Sequence, residues 1–197
     1  METFYKFLDK YNSVSALEAK LVEEEIWANY KVEKTVLVLD MSGFSLLVQR
    51  HGIIHYLGMI RRMQVATKPI VEKFRGEVVK YEADNLYAVF DSSLDAVNAA
   101  VSINIAIEAM NTITESTKDL FVSIGIASGE MILIKNRDFF GDCVNLASKL
   151  GEDIAERKEI LITQAVFEEV KGKTSYEFIN ESFVVSGLTL KASKVVY

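Results

Sequence analysis

The 197-residue chain has one cysteine, one proline and little that could serve as a linker. A lone Cys143 cannot close an internal disulfide, so the fold must rest on its core, as suits a reducing compartment. Pro69 stands alone and no Gly/Ser-rich or low-complexity stretch interrupts the chain, which predicts a single compact domain. No run of about 18 apolar residues is present, so a helical membrane span is not expected. The opening Met1-Glu2-Thr3-Phe4 lacks the basic segment and apolar core of a secretion signal. Lys and Arg number 22 against 28 Asp and Glu, a formal net charge of -6 with no basic cluster. Phosphate-backbone affinity needs clustered cations, so a nucleic-acid partner is not expected. These absences predict a soluble cytoplasmic domain.

What is present is ordinary globular composition, 50% apolar and 25% charged, enough for one sizeable core. Residues 14–30 space Val14, Leu17, Leu21 and Ile26 near a 3.6-residue period, which predicts an amphipathic helix. Residues 1–30 are thus an N-terminal helical extension that packs on its own domain or on a second copy, and residues 31–197 form the main domain. Thr35-Val36-Leu37-Val38-Leu39 reads as a central strand ending at Asp40. Helical spacing follows over about 45–74, with an interruption near Gly52. Residues 77–81 and 86–90 read as strands joined through Glu82-Ala83-Asp84-Asn85. A helix over about 93–110 is capped by Ser92 or Ser93. Residues 120–127 and 131–134 read as a hairpin across Ser128-Gly129-Glu130. A helix over 142–155, a short strand, a short helix and a β-rich tail from Tyr176 complete the chain. The order β-α-β-β-α-β predicts an α/β (α+β) sandwich, the ferredoxin-like split unit of palm domains, with a C-terminal β extension.

Two carboxylates fall at informative places. Asp40 ends the first strand and Asp84 sits in the next hairpin's turn, and a ferredoxin-like sheet brings those positions to one edge. Singly, each is explained as a helix cap or a turn residue. Together, two neighbouring carboxylates repel unless a cation joins them, which implies divalent metal. Oxygen ligands favour Mg2+ or Mn2+, and two metals so held suit phosphoryl or nucleotidyl transfer.

Four segments then carry a resemblance. Leu39-Asp40-Met41-Ser42-Gly43-Phe44-Ser45 resembles the "DIxGFT" segment of class III adenylate and guanylate cyclases. Glu77-Val78-Val79-Lys80-Tyr81-Glu82-Ala83-Asp84 is similar to the family's "VVKxxGD" hairpin, and Val122-Ser123-Ile124-Gly125-Ile126-Ala127-Ser128-Gly129-Glu130 to its "VRIGIHTGE" strand. Asp138-Phe139-Phe140-Gly141-Asp142-Cys143-Val144-Asn145-Leu146-Ala147-Ser148-Lys149 resembles "DxxGxxVNxAxR". The blocks follow in family order across roughly residues 35–170.

The resemblance implies an adenylate cyclase, a lyase that converts ATP to cyclic AMP and pyrophosphate with two divalent ions. Asp40 and Asp84 match the metal-binding aspartates, with the Met41 carbonyl as a further ligand. Lys80 and Asp138 match the pair that reads the purine, and Asn145 the residue that orients the ribose. Lys149 stands where the family has an arginine that stabilises the transition state. The family's sites lie at a head-to-tail interface, which implies a homodimer with two equivalent sites, and a sensor or regulatory domain in trans is a further possible partner. Lysine offers only donors and an ionised aspartate only acceptors, which suits adenine's N1 and exocyclic amine and mismatches guanine.

Three positions depart from the family pattern. Lys149 keeps a positive charge but lacks arginine's planar fork. Ser186-Gly187 aligns with the family's triphosphate-binding "KG" lysine, for which Lys191 or Lys194 could substitute. Ala83 replaces a glycine, so either it or Asn85 must carry any left-handed turn geometry. The alternative is therefore a degenerate cyclase-homology domain that binds nucleotide or dimerises as a regulatory module. A diguanylate cyclase shares the topology but needs a glycine-rich acidic hairpin absent here. His51 and His55, four apart on a helix, lack the third ligand of a zinc site.

Overall fold

In the computed structural model, residues 2–42, 50–135, 137–185 and 188–197 are described. Gly43, Phe44, Ser45, the first part of the helix expected from 45, and Ser186-Gly187 lie outside the described residues. One eight-stranded sheet organises the chain in the order β2-β3-β1-β4-β6-β8-β7, with β5 paired to β4. Its strands are β1 (Lys31–Met41), β2 (Glu77–Glu82), β3 (Asn85–Phe90), β4 (Val122–Ile134), β5 (Asp138–Phe140), β6 (Ile160–Thr163), β7 (Glu177–Val185) and β8 (Leu188–Val196). The first four reproduce the expected split unit, with β1 between β3 and β4 and antiparallel to both. β6 joins β4 in parallel, and the β7–β8 hairpin closes the tail.

Helices divide between the two faces of this sheet because β1 alternates. Leu37, Leu39 and Met41 pack under α3 (Ile53–Lys73) and α4 (Ser93–Asn111), in the larger core that α6 (Gln164–Val170) also joins. Val36 and Val38 point the other way, against Cys143 and Ala147 of α5 (Asp142–Ser148). Helix α4 starts where Ser92 accepts a hydrogen bond from the Asp95 N–H, so Ser92 is the cap. After Ser148 the expected helix continues only as a π-helical turn, Lys149–Ile154. This turn presses onto the sheet because two glycines face each other. A Cβ on Gly125 would lie 2.1 Å from the Ala147 carbonyl oxygen, and one on Gly151 would lie 2.8 Å from that of Val38.

Three local expectations are corrected. No turn occurs at Ser128-Gly129-Glu130: β4 runs unbroken for 13 residues because β1, itself extended back to Lys31, pairs with it from Met41 to Lys31. Lys31 and Glu130 add an ion pair near that ladder's end. The hairpin partner is instead β5, which faces Ile132 to Ile134. The first strand also does not end at Asp40; Met41 is its last residue. Third, the N-terminal extension is two helices, α1 (Glu2–Ser13) and α2 (Ala16–Tyr30), the second opened by a reciprocal Ser15–Glu18 capping box. Leu17 and Leu21 are 77% and 62% exposed, whereas Val22 and Ile26 are buried with Phe4 against Ile134. The extension thus packs on its own domain through Val14 and Ile26 of the expected stripe together with Val22, while Leu17 and Leu21 stay outside the contact.

Candidate active site

Strand register gathers the two aspartates. Asp40 follows Val36 and Val38 on the face that bears α5, near the end of β1. Leu39 faces Leu86 on β3, so the β2–β3 turn carrying Asp84 falls level with Met41, one strand over. Burial, and then the charges of Asp84, Glu152 and Asp153, push the Asp40 carboxyl up to about 7, although the Met41 N–H opposes this. Glu152 and Asp153, on the π-helical turn, were not singled out in the sequence. Their only signal was two acidic residues a few positions beyond the Asn145 segment. Tyr56 of α3 is buried at the same place. Burial first, then the charges of Asp84 and Asp40, push its phenol well above the ordinary value.

The turn itself has the geometry the alanine question raised. Glu82 pairs with Asn85 around a two-residue turn, and Ala83 takes φ 50. Alanine, not Asn85, therefore bears the left-handed conformation that glycine favours.

Lys80 and Asp138 also meet. The β2–β3 register slips between Val78 and Lys80, a bulge at Val79. Val78 and Tyr81 pack toward α3 and α4, while Val79 packs with Val36, Val38 and Tyr87 on the opposite face. The bulge leaves Lys80 on that opposite face too. There Lys80 Nζ lies 2.9 Å from Glu82 and 3.1 Å from Asp138, the first residue of β5. Burial pushes Lys80 down, but its hydrogen bonds to Glu82 and Asp138 outweigh that and hold it above the ordinary lysine value. Tyr87, opposite Lys80 in the register, places its ring centroid 5.0 Å from Nζ and donates its hydroxyl to Glu152 Oε1 at 3.0 Å.

Asn145 is exposed on α5, and Lys149 follows one turn later on the same helical face. Lys149 Nζ stands 3.9 Å from Asp153, a partly exposed pair. Of the suggested substitutes near the tail, Lys194 is engaged by Glu159, and Lys191 is exposed on β8. His55 bonds the Thr117 carbonyl oxygen, and its ring lies 4.9 Å from that of His51. Among the described residues, no group of three or more His, Cys, Asp and Glu side chains is gathered to hold a metal by itself.

Comparison with known proteins identifies the family and the fold. The family described as Adenylate and Guanylate cyclase catalytic domain matches residues 28–195. A Rhizobium meliloti (strain 1021) protein named "Putative adenylate cyclase 3" is 26% identical over 148 residues, 75% of this chain and 25% of that protein. The chain thus spans about a quarter of that relative's length. An adenylate/guanylate cyclase/hydrolase from Silicibacter pomeroyi superposes with TM-score 0.72 at 25% identity, over 85% of this chain and 98% of that one. The guanylate cyclase domain of RhGC from Catenaria anguillulae, in complex with GTP, superposes with TM-score 0.71 at 21% identity, over 84% and 97%. The chain belongs to the class III adenylate and guanylate cyclase catalytic domain family. No described helix is long and apolar enough to cross a membrane.

Proposed function

We propose that the chain is an adenylate cyclase that forms 3′,5′-cyclic AMP and pyrophosphate from ATP in a cytoplasmic homodimer. The observation that carries this reading is the Lys80–Asp138 pair at 3.1 Å, on the sheet face toward which Asp40 points. A donor-only ammonium beside an acceptor-only carboxylate matches the N1 and exocyclic amine of adenine, and presents the wrong polarity to guanine.

The acidic pair fits divalent metal. Beyond burial, the charge of Asp84 raises the Asp40 carboxyl, and those of Glu152 and Asp153 add to it, so the place favours a cation. Asp40, Asp84 and the Met41 carbonyl would hold the ions, and substrate phosphates and water would complete a shell of oxygens. Bound there, Mg2+ or Mn2+ would lower the pKa of the ribose 3′ hydroxyl and offset the charge of the phosphates. In this reading Lys80 and Asp138 hold the base, Asn145 orients the ribose, and Lys149 places a positive charge beside the α-phosphate. The 3′ oxygen bonds to the α-phosphorus, its proton leaves to solvent, and the bond to the β-phosphate bridge breaks to release pyrophosphate.

A second reading has one observation in its favour. Lys149 stands where the family has arginine and is shared with Asp153, as befits a cyclase-homology module that binds nucleotide without fast turnover. Purified protein incubated with Mn2+ and either ATP or GTP separates the two. The adenylate reading expects cyclic AMP in excess over cyclic GMP, and none from Asp40→Ala. Nucleotide binding without product across a wide enzyme range would favour the regulatory module.

A further inference from the structure

Tyr87 has no role in the assignments above, yet it sits against Lys80 and against Phe139, the neighbour of Asp138. It is 9% exposed, on β3 directly across the ladder from Lys80. Its ring face lies 5.0 Å from Lys80 Nζ. Its ring edge meets Phe139, the residue after Asp138, with centroids 6.0 Å apart and planes at 63°. Its hydroxyl donates to Glu152 Oε1 at 3.0 Å and accepts from Asn85 Nδ2 at 3.4 Å.

A lysine side chain is long and loses much rotamer freedom when held in one place. Two carboxylates alone do not fix it, because an ammonium slides readily between acceptors. Lys80 is instead enclosed on three sides, by Glu82, by Asp138 and by an aromatic face that attracts cations. That face is restrained by its buried edge against Phe139 and by the hydrogen bond of its far end to Glu152 on the π-helical turn. With two of three N–H donors engaged by carboxylates, the remaining one is left for an acceptor on a bound base.

We infer that Tyr87 is the positioning residue that fixes Lys80 for recognition of the nucleotide base, its ring holding the ammonium and its hydroxyl anchoring the ring on Glu152. The inference rests on the adenylate reading for its kinetic consequence, but not for its structural content. Loss of the ring frees Lys80, which weakens adenine recognition before it touches the phosphorus chemistry.

The test combines kinetics with a ligand-free measurement. In Tyr87→Leu, KM for ATP rises roughly tenfold and the ATP-to-GTP preference falls by a similar factor, while kcat changes by no more than about threefold. Tyr87→Phe, which keeps the ring but loses its anchor on Glu152, recovers only part of the lost preference. Lys73, Lys158 and Lys171 also lie over rings, so in proton–carbon spectra of lysine-labelled wild-type protein several lysines have side-chain protons shifted upfield by ring currents, and one of these signals belongs to Lys80. That signal vanishes in Lys80→Met. An unshifted Lys80 in the wild-type protein overturns the inference without needing any variant to fold. So does an unchanged ATP-to-GTP preference in Tyr87→Leu. If the wild-type chain forms no cyclic nucleotide, the adenylate reading falls, and the lysine signal alone then decides whether Tyr87 holds Lys80.

Discussion

Phe4 and Phe140 stack nearly parallel, with ring centroids 6.1 Å apart and planes at 4°, and so join α1 to the strand that begins with Asp138. β5 is only three residues long and pairs with β4 alone in the main ladder. Phe4, Val22 and Ile26 cover Ile134 beside it, so the N-terminal helices brace the strand that carries Asp138. Phe4→Ala should therefore cost roughly 2–3 kcal/mol, below the usual range for a buried phenylalanine because the first helix can fray. Its amide exchange should quicken on the order of tenfold or more at Phe139 and Phe140. Unchanged exchange in β5 would mean that the stack does not brace it.

Ala83→Gly should stabilise the protein. The left-handed turn costs alanine about 1–2 kcal/mol, and glycine's extra freedom in the unfolded chain takes back part of that. A net gain of roughly 0.5–1 kcal/mol is expected, read as a melting temperature higher by about 1–4 °C. A lower melting temperature would show that the turn is not strained by its side chain.

Asp40→Asn should separate stability from activity. The folded carboxyl is raised from 3.8 to about 7, so over that interval the folded chain keeps a proton that the unfolded chain has released. Stability of the metal-free protein therefore falls as pH rises from about 4 to 7, and above 7 the penalty is present in full. In excess chelator the asparagine variant should be more stable at pH 8 by on the order of 1 kcal/mol, after allowance for solvent screening of a partly exposed group. The advantage should vanish near pH 4. Urea denaturation at pH 4, 6 and 8 measures this, and a difference independent of pH would remove the electrostatic explanation.

Lys149→Arg should raise turnover. Arginine restores a planar, bidentate donor where charge builds on the α-phosphate, and it keeps its reach to Asp153. A gain in kcat of about tenfold with KM for ATP little changed is expected under Mn2+ saturation. No gain would mean that another cation serves that position.

Legibility differed between local and long-range features. The β-α-β-β-α-β order could be read from periodicity, because Val36 to Leu39 form an unbroken apolar run and Ala96 to Ile107 repeat at helical spacing. The resemblance motifs named Lys80 and Asp138, which do form a pair. The false hairpin at Ser128-Gly129-Glu130 was written in turn-forming residues, and only the long partner strand β1 holds them extended. Leu17 and Leu21 misled for a related reason: spacing gives a stripe but not which side of the stripe meets Ile134.

Chain order and residue chemistry by themselves determined the fold class and pointed to the acidic pair, and the family resemblance named the lysine–aspartate couple, because periodicity and short motifs are local properties. The tertiary structure alone decided that a bulge at Val79 turns Lys80 onto the ring of Tyr87, and that Glu152 and Asp153 crowd Asp40. Those relations depend on strand register and on glycines that let a helix touch the sheet. Both are set by packing between segments far apart in the chain, which no local pattern records.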